Sequence, residues 1–571
     1  MGFWVMELQN KAVVPADLKV TRLLWVFMVL SFVLLLLLSY ALVKDYSTEW
    51  RSFQERYNSF ASRAGTSTVD VRPYQIYRPE AKVVDRCVSC HLGMGVSSPL
   101  PSVPLFREHP QVPHEPEKFG CTICHGGQGR ATTKIDAHGN VRFFDEPILP
   151  KGFEESGCGS CHSNFYSPSL RLATLGERLF RQKDCVSCHK VGGVGHGDAP
   201  DLSFVGLKGF SEDWHQKHLK LSSEKGWGKG AYGPLTDDET KAISEYLRGR
   251  IGAARLERGK ALFLANGCLG CHKVHGVGGD DGPELTKEGL KSPWELDFTH
   301  VRGEKSVAQW QVEHLIEPSR VVPSSRMPKP MLSTDEIHDL AVYLLSLRSR
   351  PLPMEWTPKD SLIVTRFGKK EFANDGQTLF LAFCSGCHGK NGEGHDYPNR
   401  ETVFPAIGSP DFLALASDDY LRKTVAMGRP GRPMPSFKNI GLSEDEISEI
   451  IAYLREIEKE KGVRLKVPIE KGVLPPGDRN RGESLYARNC AGCHGANGIE
   501  GRAPAIGGPA FLDVANDDFI AKTILVGRQG TAMRPFGTAG VGFQTLDYKD
   551  IADIIAYLRH KKDSRQQEGP Q

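Results

Sequence analysis

All fourteen cysteines of this 571-residue chain belong to one short motif, Cys-x-x-Cys-His, and none lies outside it. The motif places two thiols and an imidazole on about one helical turn. This is the attachment pattern of c-type haem, in which the thiols bond to the porphyrin and the His becomes the proximal ligand of the iron. The cysteines are Cys87, Cys90, Cys121, Cys124, Cys158, Cys161, Cys185, Cys188, Cys268, Cys271, Cys384, Cys387, Cys490 and Cys493, and the proximal histidines are His91, His125, His162, His189, His272, His388 and His494. The sequence therefore predicts seven covalently bound haems.

Other uses of paired cysteines explain the pattern less well. A redox dithiol or a disulfide framework needs no His after each pair, and zinc ribbons need paired knuckles at short spacing. The charge balance is also informative: 72 Lys and Arg against 69 Asp and Glu give a net charge of +3. A nucleic-acid-binding protein carries a much larger basic excess. The pattern therefore favours haem and electron transfer.

An apolar segment, Leu23–Val43, precedes all seven motifs. It is long enough to span a bilayer as a helix. Lys19 and Arg22 lie just before it, so the positive-inside rule keeps residues 1–22 in the cytoplasm and exports the rest. We expect a single-pass anchor in a bacterial inner membrane, with the haem domains on the periplasmic side. The alternative is a signal peptide cleaved after Ala41, but the apolar stretch is long for one.

Residues 44–80 are predicted to form a helical stalk after the anchor. Aromatic side chains recur there at spacings of four and three residues, which is a heptad pattern. They are Tyr46, Trp50, Phe53, Tyr57 and Phe60. This row either packs on the chain's own haem domains or docks a partner, and two heptads do not decide between the two.

The first three motifs lie within residues 81–168, which is too short for three separate cytochrome domains. The segment is rich in Pro and Gly and has little helical periodicity. It predicts a loop-rich trihaem module in which the haems supply much of the core. Three histidines outside the motifs, His109, His114 and His138, are candidate distal ligands, which would make these haems bis-His.

From about residue 170 the chain repeats itself four times. A Gly-x-x-Leu-aromatic pattern precedes each motif, and a Tyr-Leu pair lies near the end of each repeat. The Gly-x-x-Leu-aromatic pattern begins at Gly176, Gly259, Gly376 and Gly482. The Tyr-Leu pair begins at Tyr246, Tyr343, Tyr453 and Tyr557. The repeats resemble class I, mitochondrial-type cytochrome c domains, whose first and last helices cross at these Gly and aromatic positions.

The resemblance implies a mainly α chain with one transmembrane helix, a trihaem module and four tandem class I domains. We number the domains by their haems: domain four (169–250), domain five (251–350), domain six (366–460) and domain seven (478–562). Pro-rich joints at 351–360 and 473–478 separate the last three.

In class I domains the distal ligand is usually a Met on the loop before the last helix. Aligning domains six and seven pairs Met434 with Met533, while Met427 falls opposite Val526. Met434 and Met533 are therefore the expected ligands. In domain five the Met-Pro sequence favours Met327 over Met331.

Domain four lacks a Met at the matching position, where Gly230 and Ala231 stand. His215 is the preferred candidate, with His196, Lys229 or an open iron site as alternatives. His218 aligns with His314 of domain five, where a Met is the expected distal ligand. His218 is therefore interpreted as an ordinary helix residue.

Met/His ligation raises a haem potential relative to bis-His ligation. Low-potential haems near the membrane and high-potential haems beyond them suit a chain that carries electrons from quinol to a periplasmic acceptor, such as a soluble cytochrome or an oxidase. The chain resembles the cytochrome c subunits of bacterial cytochrome b-type quinol-oxidising complexes and of some haem–copper oxidases. One helix cannot form a quinone site, so integral-membrane, cytochrome b-like partners are implied. The rival functions are a multihaem reductase of nitrogen or sulfur oxyanions, with an open iron in domain four, and a purely structural subunit.

Overall fold

The computed structural model describes residues 16–94, 100–110, 112–224, 234–348, 352–398, 400–462, 474–540 and 544–568. The chain divides into a first unit, 1–122 with 127–141, and a second unit, 123–126 with 142–571. The boundary runs through the second haem motif. Lys229, Gly230 and Ala231, which bear on the ligand of domain four, lie outside the described residues.

The first unit begins with an apolar helix, α1 (Ala16–Tyr46). Its span Lys19–Tyr46 is long and apolar enough to cross a membrane, and none of its most apolar stretch is buried against the protein. A second helix, α2 (Glu49–Ala64), follows after a break and ends at Gly65, which adopts the left-handed conformation with φ 69°. Of the predicted helical stalk, residues 44–80, only the part up to Ala64 is α-helical, and it is interrupted after Tyr46. The remainder includes a β-strand, Ile76–Arg78, so the prediction of a helix over the whole stalk is wrong.

The aromatic row on α2 packs inside the first unit. Tyr57 is fully buried, and its ring meets the ring of Phe106 edge-on at 5.2 Å. Leu92, next to the first haem motif, completes this small core. On the same helix, Gln54 donates a hydrogen bond of 3.1 Å to the carbonyl of Ser89, which lies within the first motif. These contacts support the first of the two interpretations of the row, packing on the chain's own haem module.

Short elements make up the rest of the first unit. The only sheet among its described residues is an antiparallel pair, β1 (Ile76–Arg78) and β2 (Val83–Asp85). The helices that follow are α3 (Pro116–Phe119), α4 (Thr122–His125), which crosses the unit boundary, and α5 (Lys134–Ala137). The segment is loop-rich, as its composition predicts.

The second unit contains four crossed helix pairs, one for each cytochrome repeat. They are α6 (Leu170–Gln182) with α8 (Asp237–Arg248), α9 (Ala254–Ala265) with α12 (Thr334–Ser346), α14 (Gly376–Phe383) with α18 (Glu444–Lys461), and α19 (Arg479–Asn489) with α23 (Tyr548–Glu568). Shorter helices between each pair are α7 (Glu212–Glu224), α10 (Val307–Ile316), α11 (Pro318–Val321), α15 (Ser385–His388), α16 (Pro410–Leu415), α17 (Asp418–Met427), α20 (Ala491–His494), α21 (Pro509–Leu512) and α22 (Asp517–Val526). The joint before domain six contains α13 (Lys359–Phe367), and β3 (Lys273–Val274) pairs with β4 (Val277–Gly278) in domain five.

Each crossing depends on its glycine, as the sequence predicts. A Cβ on Gly176 would lie 2.0 Å from the carbonyl oxygen of Ala242, and one on Gly259 would lie 2.0 Å from that of Asp339. Next to each crossing an aromatic pair fills the remaining space: Phe180–Tyr246, Phe263–Tyr343, Phe380–Tyr453 and Tyr486–Tyr557, with ring centroids 5.1 to 5.6 Å apart. The helices can approach this closely only where no side chain separates them.

Domain four has a core of its own, built around Leu179, Phe180, Ile243 and Tyr246. Domains five, six and seven share one continuous core. The third haem motif belongs to this larger body, because Ser156 donates a hydrogen bond of 2.9 Å to the carbonyl of Val342 on α12.

Candidate haem sites and electron path

The attachment motifs adopt one closed turn. In six of the seven, the backbone N–H of the His donates to the carbonyl of the first Cys at 2.8 to 3.0 Å, for His91, His162, His189, His272, His388 and His494. All fourteen thiols are free of disulfides. Each turn therefore presents two thiols and an imidazole together, which is the donor set that covalent haem attachment needs.

The orientation of the imidazole gives a second test of fit. In domains four to seven the His Nδ1 lies 2.8 to 2.9 Å from a Pro carbonyl: His189 with Pro200, His272 with Pro283, His388 with Pro405, and His494 with Pro504. A carbonyl only accepts, so Nδ1 carries the proton and Nε2 is left with a free lone pair for iron. The four sites fit a haem iron. In domains six and seven the proline begins the same short sequence, Pro-Ala-Ile-Gly, at 405 and 504. This repeated sequence is the signal from which the role of the proline could have been found.

The third motif differs. Its His162 Nδ1 lies 2.8 Å from a carboxylate oxygen of Asp360, and both side chains are less than a tenth exposed. Asp360 lies in the first turn of the joint helix α13, far along the sequence from the motif. Sequence reasoning treated this stretch as a spacer and did not find Asp360.

The candidate Met ligands of domains six and seven lie in matching turns. The backbone N–H of Arg429 donates to the carbonyl of Met434 at 2.8 Å, and that of Arg528 donates to the carbonyl of Met533 at 2.7 Å. Both methionine side chains are half-buried. Met427, by contrast, is 47% exposed. In domain five, Met327 packs against the core while Met331 is 92% exposed. Met327 is thus less exposed than Met331, and Met434 is less exposed than Met427. The ligand roles of Met327, Met434 and Met533 stay predictions.

In domain four, His215 and His218 lie three residues apart on α7 but face different surroundings. His215 is 3% exposed, and burial followed by the charges of Arg248 and His218 lowers its pKa to about 4. It lies edge-on to the rings of Phe210 and Trp214. The side chain of His218 is exposed. Two effects lower its pKa: first the partial burial of its imidazole, and second the charge of the proximal His189. The charge of the proximal His189 thus acts on His218, whereas no such effect of His189 on His215 is resolved. Both histidines stay candidate distal ligands.

The three candidate histidines of the trihaem module all lie in the first unit. His138 follows α5 directly. Its pKa is lowered mainly by burial and to a smaller extent by the charge of Lys134. His114 is exposed beside the ring of Phe119 at 5.1 Å. His109 is half-buried, with Nδ1 2.7 Å from the carbonyl of Pro110. Their ligand roles remain proposals.

Attachment turns of different motifs touch one another at three places. In the first unit, the side chains of Cys87 and Cys121 lie next to each other. Asp85 reinforces this contact, because its carboxylate accepts from the backbone of Cys121 at 2.5 Å and of Thr122 at 3.0 Å. In the second unit, a Cβ on Gly157 would lie 1.7 Å from the carbonyl oxygen of Cys124, so the second and third turns pack backbone to backbone.

The third contact joins domains five and six. The side chains of Cys271 and Cys387 lie next to each other, and a Cβ on Gly267 would lie 2.0 Å from the backbone nitrogen of Gly386. Arg400 hydrogen-bonds to Cys271 and pairs with Asp281 beside this contact. The Arg400 side chain is 7% exposed, and Cys387 is buried while Cys271 is half-buried, so the contact is largely shielded from bulk water.

Comparison with known proteins matches the repeats to one family. The cytochrome c family model matches residues 173–250, 256–348, 373–458 and 480–562. The chain is 27% identical to the cbb3-type cytochrome c oxidase subunit FixP of Bradyrhizobium diazoefficiens, over 27% of this chain and 51% of that protein. It is 25% identical to the cytochrome bc1 complex cytochrome c subunit of Corynebacterium diphtheriae, over 37% of this chain and 75% of that one.

The match to FixP spans only about half of that relative's length. Among solved structures, the thiosulfate dehydrogenase TsdBA of Marichromatium purpuratum is 18% identical, with 68% of this chain and 90% of that one covered and a TM-score of 0.18. That score is too low for the two arrangements to be compared. The four matched repeats imply covalently bound c-type haem and electron transfer, and the chain belongs to the cytochrome c family.

Proposed function

We propose that this chain is a membrane-anchored, seven-haem cytochrome c that carries electrons from a membrane quinol-oxidising complex to a periplasmic acceptor. The observation that carries the proposal is the contact between attachment turns: Cys87 with Cys121, the turn of Cys124 with that of Cys158, and Cys271 with Cys387. When bound, c-type haem supplies one-electron chemistry. A protein that stored or displayed single haems would gain nothing from holding its attachment turns in pairs.

The count of seven rests on seven complete Cys-x-x-Cys-His motifs, six of which share the turn geometry described above. The three motifs outside the matched family repeats include two, at His91 and His162, with the same His-to-Cys backbone hydrogen bond as the four inside them. A pyridine haemochrome assay on protein of known mass should give seven haems per chain. Four haems would restrict attachment to the cytochrome c repeats and remove the trihaem module from the proposal.

Membrane partners are supported by two observations. The helix α1 is fully exposed along the apolar span Lys19–Tyr46, as a bilayer anchor would be. The similar proteins are named as subunits of a cbb3-type oxidase and of a bc1 complex. We therefore propose an inner-membrane location, with domains four to seven in the periplasm and a cytochrome b-like partner in the membrane.

Quinol-driven reduction in native membranes tests the proposal. A quinol analogue should reduce most of the c-type haem that dithionite reduces, and the chain should copurify with an integral-membrane cytochrome b after mild solubilisation. An inhibitor of quinol oxidation should stop the reduction by quinol and leave the dithionite reaction unchanged. If quinol reduces none of this haem while dithionite reduces all of it, the quinol-linked function is wrong.

A further inference from the structure

The joint between domains five and six contributes a buried carboxylate to the third haem motif. Asp360 is the second residue of α13 and is 4% exposed. Its Oδ2 lies 2.8 Å from His162 Nδ1, across a separation of 198 residues. Its other oxygen, Oδ1, is buried and has no hydrogen-bond partner among the described residues. The carboxylate is therefore directed at the imidazole and not at a wider network.

This arrangement departs from the four cytochrome repeats, where a neutral Pro carbonyl takes the same place. Both groups accept the Nδ1 proton and leave Nε2 for iron. A carboxylate accepts more strongly and carries a full charge, so it shifts electron density towards Nε2. Electron density on the ligand and a nearby negative charge both stabilise ferric over ferrous iron. Hydrogen bonding and charge therefore act in the same direction on the potential.

One buried cation lies close enough to feel this carboxylate. The charge of Asp360 acts to raise the pKa of Lys260, although burial is the larger effect and lowers it. Lys260 is itself committed elsewhere, because its ammonium lies 3.0 Å from Glu371 and also donates to the carbonyl of Phe165. Glu371 in turn pairs with His275. The Lys260 charge is thus shared with a second carboxylate and offsets only part of that of Asp360.

We propose that Asp360 is a positioning residue that fixes the orientation of His162 and lowers the reduction potential of the third haem below that of an otherwise equal site with a carbonyl partner. The proposal rests on the proposed function in one respect, that the third motif carries a haem. It gives the joint a second task besides separating two domains. Docking of α13 against the third motif then sets a potential as well as a position.

Redox titration of the full chain with the variant Asp360→Asn tests this. The amide is similar in size but carries no charge, so one midpoint should rise, the haem count should stay at seven, and the electron paramagnetic resonance signal of one low-spin ferric haem should shift. The matched control is Glu355→Gln, which removes the same charge from an exposed side chain five residues earlier and should leave every midpoint unchanged.

A second variant, Asp360→Ser, retains a neutral acceptor in a smaller side chain and should raise the same midpoint. Unchanged midpoints in either variant at full haem content would overturn the proposal. A haem count of six in both would also overturn it, since Asp360 would then serve attachment and not tuning. The titration needs no quinol or partner, so its outcome is separate from that of the membrane experiment.

Discussion

Domains four and five are built on the same helices but differ in the residues available as a distal haem ligand. In both, a Trp and a His four residues apart stack with nearly parallel rings: Trp214 on His218 at 5.0 Å and 6°, and Trp310 on His314 at 4.8 Å and 9°. In both, the proximal His lowers the pKa of the stacked His, after the larger effect of burial. Domain five also has Met327 on its ligand loop, whereas domain four has no methionine anywhere in its sequence.

The crossed-helix frame is therefore the same whether or not the domain contains a Met that could be the sixth ligand. The crossing glycines, the aromatic pairs and the Pro carbonyl behind the proximal His are the same in both domains. A His in the stacked position is available beside the proximal ligand whether or not a Met is present. In domain four the charge of the proximal His189 acts on the His at this position, and the predictions below test whether it ligates the iron.

The largest effect is expected at the helix crossings. Gly259→Ala places a methyl group 2.0 Å from the Asp339 carbonyl, and overpacking of this kind costs about 1–3 kcal/mol. Because α12 also packs on the third motif through Val342, Gly259→Ala should reduce occupancy of haems three and five. Gly176→Ala should affect haem four alone, since domain four has its own core.

Haem content after expression and limited proteolysis would measure this difference. Gly197→Ala is the control, because a Cβ there meets no atom within 4 Å and the glycine has no positive φ. Equal losses from Gly259→Ala and Gly176→Ala would contradict the shared packing of domain five and the third motif.

Exchanging the Met of domain five should convert it towards domain four. Met327→His is expected to lower one high-potential step in a redox titration, because an imidazole favours ferric iron more than a thioether does. Met331→His is the matched control, since that side chain is 92% exposed. An unmoved titration for Met327→His would show that another residue, with His314 the nearest candidate, ligates this iron.

The sixth ligand of domain four distinguishes a closed carrier from an open iron site. His218→Ala should convert one haem from low spin to high spin in the ferric electron paramagnetic resonance spectrum, while His215→Ala should leave the spin state unchanged. If His215 is the ligand, as the sequence predicts, His215→Ala should give the high-spin haem and His218→Ala should leave the spin state unchanged. A high-spin signal in the unaltered protein that disappears on adding nitrite would instead support the reductase function.

Sequence reasoning found the features that repeat and missed those that depend on tertiary contact. The motif residues and the crossing positions, such as Gly176 and Tyr246, recur at fixed places and are readable in one chain. His215 and His218 lie three residues apart and are neighbours on the surface of one helix. Their spacing in the sequence therefore could not show which of the two is directed at the iron. Asp360 could not be found because its partner is 198 residues away. The Pro carbonyls escaped notice because a backbone group has no signature beyond its position.

The smallest effect is expected at the helix caps of the two domains. Thr236 caps α8 in a reciprocal capping box with Glu239, and Ser333 caps α12 in one with Glu336. Removing the hydroxyl with Thr236→Ala or Ser333→Ala should each cost about 1 kcal/mol, because one backbone N–H at the helix start loses its acceptor. The same cost has different consequences, since α8 belongs to a small separate core and α12 to the large continuous one. Thr236→Ala should therefore increase hydrogen exchange through α8, whereas Ser333→Ala should loosen only the first turn of α12. Equal exchange in both helices would show that domain four is as firmly held as domain five.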